Sequence, residues 1–443
     1  MPELMAIGDS IFNGVRSMTL TRQLAAVSAP ALAARQMGMP LSVPDYPREV
    51  LFDLEALARN PFDILKFKQQ VVANARAWWS GGAPWSNQKD FDNIAMAAAD
   101  IDDMWTLRYD DFAAAAPGLI DYIEQNAGLG QDVITAIDQL WKATNFAFVL
   151  NPSRDPTQGQ ETPLDILARR QPARLLVNLG ANNGIVKLCV DADADADHMA
   201  PIREIPRLMA ELAARLPTSL KAVYVNTLPK PSTLANLWTR MDWEENPPGC
   251  GRYYKKYVGR LGFVGGISGT EMAAVDSEIA AINKEIERRM RRQLPRNVTL
   301  RMVDIYGTTA CYDDKHGCEC AAPGCNCKPI YVTKGGARWH LTNLPLEVLV
   351  GFMHGGLFGL DNMHPTTVGY ALMANKIIQA VGQDVQNVWQ PIDPQEAFEL
   401  DTLMQNLPGS QSVVNFLFAF LRQFVAQEKN PAAVLQALKA RQP

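Results

Sequence analysis

The chain predicts an α/β fold in which a parallel sheet is covered by helices on both faces. Two observations predict it. Short runs rich in Val, Leu or Ile recur along the sequence, each bounded by Pro, Gly, Asn or Asp, which is how buried strands read. Between them lie stretches of helical period, such as IREIPRLMAELAARL and MAAVDSEIAAINKEIERRMRRQL. Strands that alternate with helices build parallel sheets whose two faces are covered.

The elements follow in order. LMAI, Leu4 to Ile7, reads as the first buried strand. Gly8 permits a sharp turn, and Asp9 or Ser10 suits a helix cap. Further strands are expected at Phe91 to Met96, Ala173 to Ala181, Leu220 to Leu228 and Asn297 to Tyr306, giving a sheet of about five. The connections are longer than a minimal fold needs. Insertions are expected at about 15–90, 100–170 (mostly helical) and 230–270 (irregular), with a Cys-rich loop at 311–327. The core domain with its insertions therefore spans 1–383, and 384–443 reads as a C-terminal helical extension that includes SVVNFLFAFLRQFV, Ser412 to Val425. That run is too short to span a bilayer and reads as a docked helix.

Composition narrows the function classes. The 443 residues are 47% hydrophobic and 20% charged, with a net charge of −5, as in ordinary globular proteins. Basic residues are scattered, so no nucleic-acid partner is expected. No apolar run is long enough for a transmembrane helix, and the oligomeric state stays open. The strand-like start lies too close to Met1 for a visible signal peptide, and a trimmed chain would read the same.

Five of the seven cysteines fall in CYDDKHGCECAAPGCNC, Cys311 to Cys327. Disulfides are the expectation there, with zinc, aided by His316, as the alternative. The cluster favours a secreted or periplasmic setting if a signal peptide has been removed, and a cytoplasmic one otherwise. DADADADH, Asp191 to His198, places acidic residues at positions one, three, five and twelve of a loop counted from Asp193. His198 replaces the Gly that a calcium loop needs at position six, so a solvated acidic loop is expected.

The chemistry-bearing residues lie far apart. Ser10 follows the first strand, where open α/β sheets place their ligands. A serine in such a place is by itself an ordinary helix cap. Asp361 and His364, in DNMHPT, sit three residues apart on the loop entering a helix that begins at Pro365. A carboxylate there can reach one ring nitrogen and leave the other free for a hydroxyl, as a serine nucleophile requires. Asn182, in NLGANNG at the end of the third strand, can supply an oxyanion donor beside the Ser10 N–H. His340 and His354 lack a carboxylate at matching spacing and read as packing or substrate-wall residues. Trp78, Trp79 and Trp85 read as packing of an insertion, or else as a pocket wall.

GDS at Gly8 to Ser10, GANN at Gly180 to Asn183 and DNMHPT at Asp361 to Thr366 together resemble the SGNH or GDSL esterases and lipases. DFDNIAMAAADIDDM looks like that family's second block. The resemblance implies a flavodoxin-like three-layer α/β/α sandwich and hydrolysis of carboxylic esters of lipids, aryl groups or sugars, without a metal or organic cofactor. It implies Ser10 as nucleophile, His364 as base and then acid, and Asp361 as its orienting carboxylate. The oxyanion hole would be the N–H groups of Ser10 and Ala98 with the Asn182 amide. Two departures stand out: Ala98 occupies the place of a Gly, and Asn183 that of an Asp. An acyltransferase with the same triad, or a carbohydrate- or lipid-binding protein with an idle triad, are the alternatives.

Overall fold

Four parallel strands form the central sheet: β1 (Leu4–Gly8), β2 (Arg174–Asn178), β3 (Ala222–Asn226) and β4 (Thr299–Val303), hydrogen-bonded in that order. The computed structural model describes residues 2–60, 63, 66–239, 252–260, 264–316, 329–349, 352–409 and 431–440. β2, β3 and β4 are each shorter than the run expected to hold them, whereas β1 extends one residue further, to Gly8. After β2, Gly180 adopts φ +110°, a conformation open to glycine at little cost.

The helices that position the site are α1 (Ser10–Asn13), α2 (Ala29–Met37), α3 (Gln131–Leu150), α4 (Ala196–Arg215), α5 (Gly269–Gln293) and α6 (Thr367–Val385). Alternation along the strands divides the core in two. Leu4, Ala6, Leu176, Ala222 and Tyr224 share one cluster with α2 and α6. Met5, Ile7, Leu175, Val177, Val223 and Val225 share the other with α4 and α5. Covered on both faces, the strands must be apolar throughout, which is why they were legible.

The expected strand at Phe91–Met96 is corrected. It lies along β1, with Ala6 N–H donating to Asp92 O and Ile94 N–H to Ala6 O, each at 2.9 Å, yet it pairs only through the bridge Ala6–Asn93. The hydrogen bonds with β1 continue, Met96 N–H donating to Gly8 O at 2.9 Å, while the Asn93 side chain donates to Phe12 O at 2.7 Å and accepts from Ala95 N–H at 3.2 Å.

Within the 15–90 insertion, α2 packs on α6 as part of one sheet cover. The 100–170 segment is helical as expected, and α3 within it is buried over every residue from Val133 to Leu150. The 230–270 segment holds antiparallel strands at Leu237–Trp238, Lys256–Gly259 and Val264–Ser268. Further along the chain, Ile330–Lys334 and Ala337–Leu341 form a hairpin. The Ser412–Val425 run lies outside the described residues.

A buried ion cluster joins the start of the chain to its end. Arg16, 1% exposed, holds Glu55 through two bonds of 2.7 and 2.8 Å and Asp401 at 2.9 Å. The other oxygen of Asp401 accepts from Thr367 N–H at 2.6 Å, at the start of α6. The C-terminal extension is thereby part of the core, with Ala397, Phe398, Leu403 and Met404 buried in it. Replacing Arg16 by Met leaves the buried Asp401 without its cation and Glu55 with Arg59 alone, at 3.5 Å, and urea denaturation is expected to show a loss of about 3–5 kcal/mol. A loss below about 1 kcal/mol would mean that the cluster is solvated after all.

Candidate active site

Gly8 lets β1 turn sharply into α1, because its missing side chain leaves room for Asn178 O and the Phe12 Cβ, each 2.9 Å from where a Cβ would sit. Asp9 caps the new helix by accepting from Ile11 N–H at 3.0 Å. Ser10 is thus presented at the carboxyl end of the sheet, at the first position of α1. The expected partners, 354 positions away, meet it there: His364 Nε2 lies 2.9 Å from Ser10 Oγ. His364 Nδ1 lies 2.7 Å from Asp361 Oδ2.

Asp361 is completely buried and heavily hydrogen-bonded. Oδ1 accepts from the N–H groups of Met363 and His364 at 3.0 and 2.9 Å, and Oδ2 also accepts from Met18 N–H at 2.9 Å. Burial alone would raise this carboxyl. The charge and ring hydrogen bond of His364, with the two loop amides, outweigh burial and hold it below the ordinary value. The Met18 contact depends on a tight turn in which Ser17 and Met18 have φ of 54° and 53°, and Asn362 is left-handed too at 57°. Non-glycine residues seldom take this conformation, and three of them flank one carboxylate.

The expected oxyanion donors Ser10 and Ala98 are linked by a clamp on the 93–98 loop. Asn13 of α1 donates to Ala95 O at 2.6 Å. Asn145 of α3 accepts from Ala97 N–H at 2.8 Å and donates to Asn13 Oδ1 at 3.2 Å and Tyr46 OH at 2.7 Å. The loop that carries Ala98 is therefore tied to the helix that carries Ser10. The N–H groups of Ser10 and Ala98 donate to nothing among the described residues. Ala98 has φ +65°, so Ala here holds the backbone shape that a Gly adopts at less cost.

Asn182 Nδ2 donates to Ala99 O at 2.9 Å, and its amide has a second N–H. Asn183 Oδ1 accepts from Ile101 N–H at 3.1 Å. The atom used is a side-chain oxygen, which an Asp would supply equally well. Both departures from the motif thus leave the local scaffold intact.

Ser10, Ala98, Asn182 and His364 line one cavity of about 330 Å³, within the usual range for small-molecule sites. Asp361 stands behind His364, outside the lining. Trp78, Trp79, Trp85, His340 and His354 are also absent from it. Trp78 is 1% exposed and meets Trp85 edge-on, and His340 stacks on Tyr331, so these residues pack rather than line a pocket.

His316 has both ring nitrogens engaged, at 2.6 Å from Asp313 Oδ2 and 2.6 Å from Tyr257 OH. Cys311 is buried; the other four cysteines of its run, and with them the stapling or zinc expected there, lie outside the described residues. The 191–198 run forms no calcium-type loop, because α4 begins at Ala196 with Asp195 as its cap. His198 is hydrogen-bonded to both Asp195 and Asp191.

Sequence reasoning missed Asn13, Tyr46, Asn145 and the Met18 N–H. Asn145 left a trace, as a polar residue in the otherwise apolar end of α3. It also missed the amide chain beneath the site, in which Asn226 donates to Asn178 at 2.7 Å and Asn178 to Asp9 at 2.8 Å. Compared with known proteins, the chain matches no family model, no curated protein and no solved structure.

Two predictions follow from Ala98 and Asp9. A left-handed Ala costs about 1–2 kcal/mol, and Gly relieves this while loosening the unfolded chain by about 0.5–1 kcal/mol. Ala98→Gly is therefore expected to melt at or slightly above the parent temperature, and Ala98→Val well below it.

Burial pushes the Asp9 carboxyl up to about 6, against the hydrogen bonds from Ile11 and Asn178 and the charge of His364. A raised carboxyl binds its proton more tightly when folded. Stability relative to Asp9→Asn should therefore rise as pH falls through about 6, and level off below the unfolded value of 3.8. The gain is of order 3 kcal/mol, read from urea melts between pH 8 and pH 4. A flat difference across that range would refute it.

Proposed function

We propose that this protein is a serine hydrolase of carboxylic esters of the SGNH or GDSL type, acting through an acyl-enzyme. The observation that carries the reading is the continuous line from Ser10 Oγ through the His364 ring to the buried Asp361 carboxylate, with contacts of 2.9 and 2.7 Å. The sheet adds support. With Phe91–Met96 alongside β1, the segments run in the order 2-1-3-4-5 of flavodoxin-like sheets, and Ser10 follows the strand at the switch point of that order.

In this reading His364 Nε2 takes the Ser10 proton as Oγ attacks the ester carbonyl. Asp361 holds the ring in the productive tautomer and favours the imidazolium. The tetrahedral oxyanion is received by the N–H groups of Ser10 and Ala98 and by the second Asn182 N–H, all fixed before reaction. Collapse expels the alkoxide, which takes the proton from His364. Water then attacks the acyl-enzyme with His364 again as base, releasing the acid and restoring Ser10.

p-Nitrophenyl acetate tests the proposal. The intact protein should release nitrophenol, and Ser10→Ala and His364→Ala should each lower kcat by about 10⁴–10⁶-fold. The double variant should be scarcely worse than either, because the two residues act as one unit. Additive losses, or undiminished turnover in Ser10→Ala, would remove the nucleophile assignment. Dominant ester synthesis at dilute added alcohol would instead point to acyl transfer.

A further inference from the structure

We propose that the cavity at Ser10 is built for an ester bearing a hydroxyl group, received by Lys142 and Asp138 of α3. The inference rests on the ester-hydrolase reading for its substrate class. Most of the cavity is apolar, with Ile11, Met18, Ile185, Leu234, Phe358 and Met373 in its wall. Such a wall accepts hydrocarbon and gives it no orientation.

One stretch of the lining is different in kind. Asp138, Trp141 and Lys142 line the cavity together, spaced so that one face of α3 presents all three. Asp138 is fully buried, Trp141 is 2% exposed and Lys142 is 7% exposed. Lys142 Nζ lies 2.6 Å from Asp138 Oδ2.

A buried ion pair is a poor source of stability, because desolvation offsets most of the attraction. This one is also incomplete. Asp138 Oδ1 and Trp141 Nε1 have no hydrogen-bond partner among the described residues. The ammonium has three donors, and Asp138 is its sole hydrogen-bond partner among the described residues. An unfilled acceptor thus stands beside unfilled donors in a pair with no net charge.

The chemistry selects the ligand. An anionic group would be repelled by Asp138 and a cationic group by Lys142. A plain hydrocarbon would leave every one of these atoms unfilled. A hydroxyl donates to the carboxylate and accepts from the ammonium or the indole N–H at once. Sites that hydrogen-bond a substrate hydroxyl reject the analogue lacking it far more strongly than apolar pockets reject an added methylene.

The test measures binding to Ser10→Ala, so that no turnover is required. Calorimetry would compare ethyl hexanoate with its 3-hydroxy and 6-hydroxy derivatives, and butyl hexanoate with 4-hydroxybutyl hexanoate, to separate an acyl hydroxyl from one on the alcohol. At least one hydroxylated ester should bind about tenfold tighter than its parent. Adding Asp138→Asn or Lys142→Met to the Ser10→Ala protein should bring that ratio toward one.

Where either polar variant fails to fold, Trp141→Phe, which stays aromatic and apolar but smaller and removes one donor, should lower the ratio instead. Equal binding of every hydroxylated ester and its parent overturns the proposal, as does a preference that survives these variants. Failure of the hydrolase reading would look different: no release from p-nitrophenyl acetate by the intact protein.

Discussion

The Asp361 carboxylate is the constraint on which the rest of the site depends. A charge with no access to water is tolerable only if its lone pairs are filled, and here three backbone amides and one imidazole fill them. Two of those amides come from its own loop. The third, from Met18, comes from the turn just after α1. That third bond locks the loop carrying His364 onto the segment that follows Ser10. The left-handed residues at Ser17, Met18 and Asn362 follow from the need to aim those amides at one group.

Much of this was legible because a few kinds of signal survive in letters alone. Buried parallel strands must be apolar on both faces, so β1 to β4 stood out as short aliphatic runs. The three-residue interval between Asp361 and His364 is local geometry, readable without a fold. Ser10 was legible only jointly with them, since any serine after a glycine turn could cap a helix.

What was hidden is what depends on non-local contact. Nothing in NIAM says that the Asn93 side chain will donate to Phe12 O, or that the segment will meet β1 through one bridge rather than as a full strand. Nothing in the 15–90 stretch marks α2 as a sheet cover, or Arg16 as the partner of Asp401. Ala98 and Asn183 read as departures from a motif when letters are compared. In the fold Ala98 takes a positive φ and Asn183 offers an oxygen acceptor, which Gly and Asp would supply as well.

The Arg16 cluster has a bearing on how the molecule comes into being. Synthesis delivers the hydroxyl-bearing turn first, its imidazole some 350 residues on, and the carboxylate that caps α6 later still, at Asp401. A growing chain therefore carries Arg16 with only half of its counter-charge until Asp401 has emerged. Assembly of the site therefore waits for Asp401, and a ribosome-bound fragment ending before it holds Ser10 and His364 without the brace between Arg16 and α6.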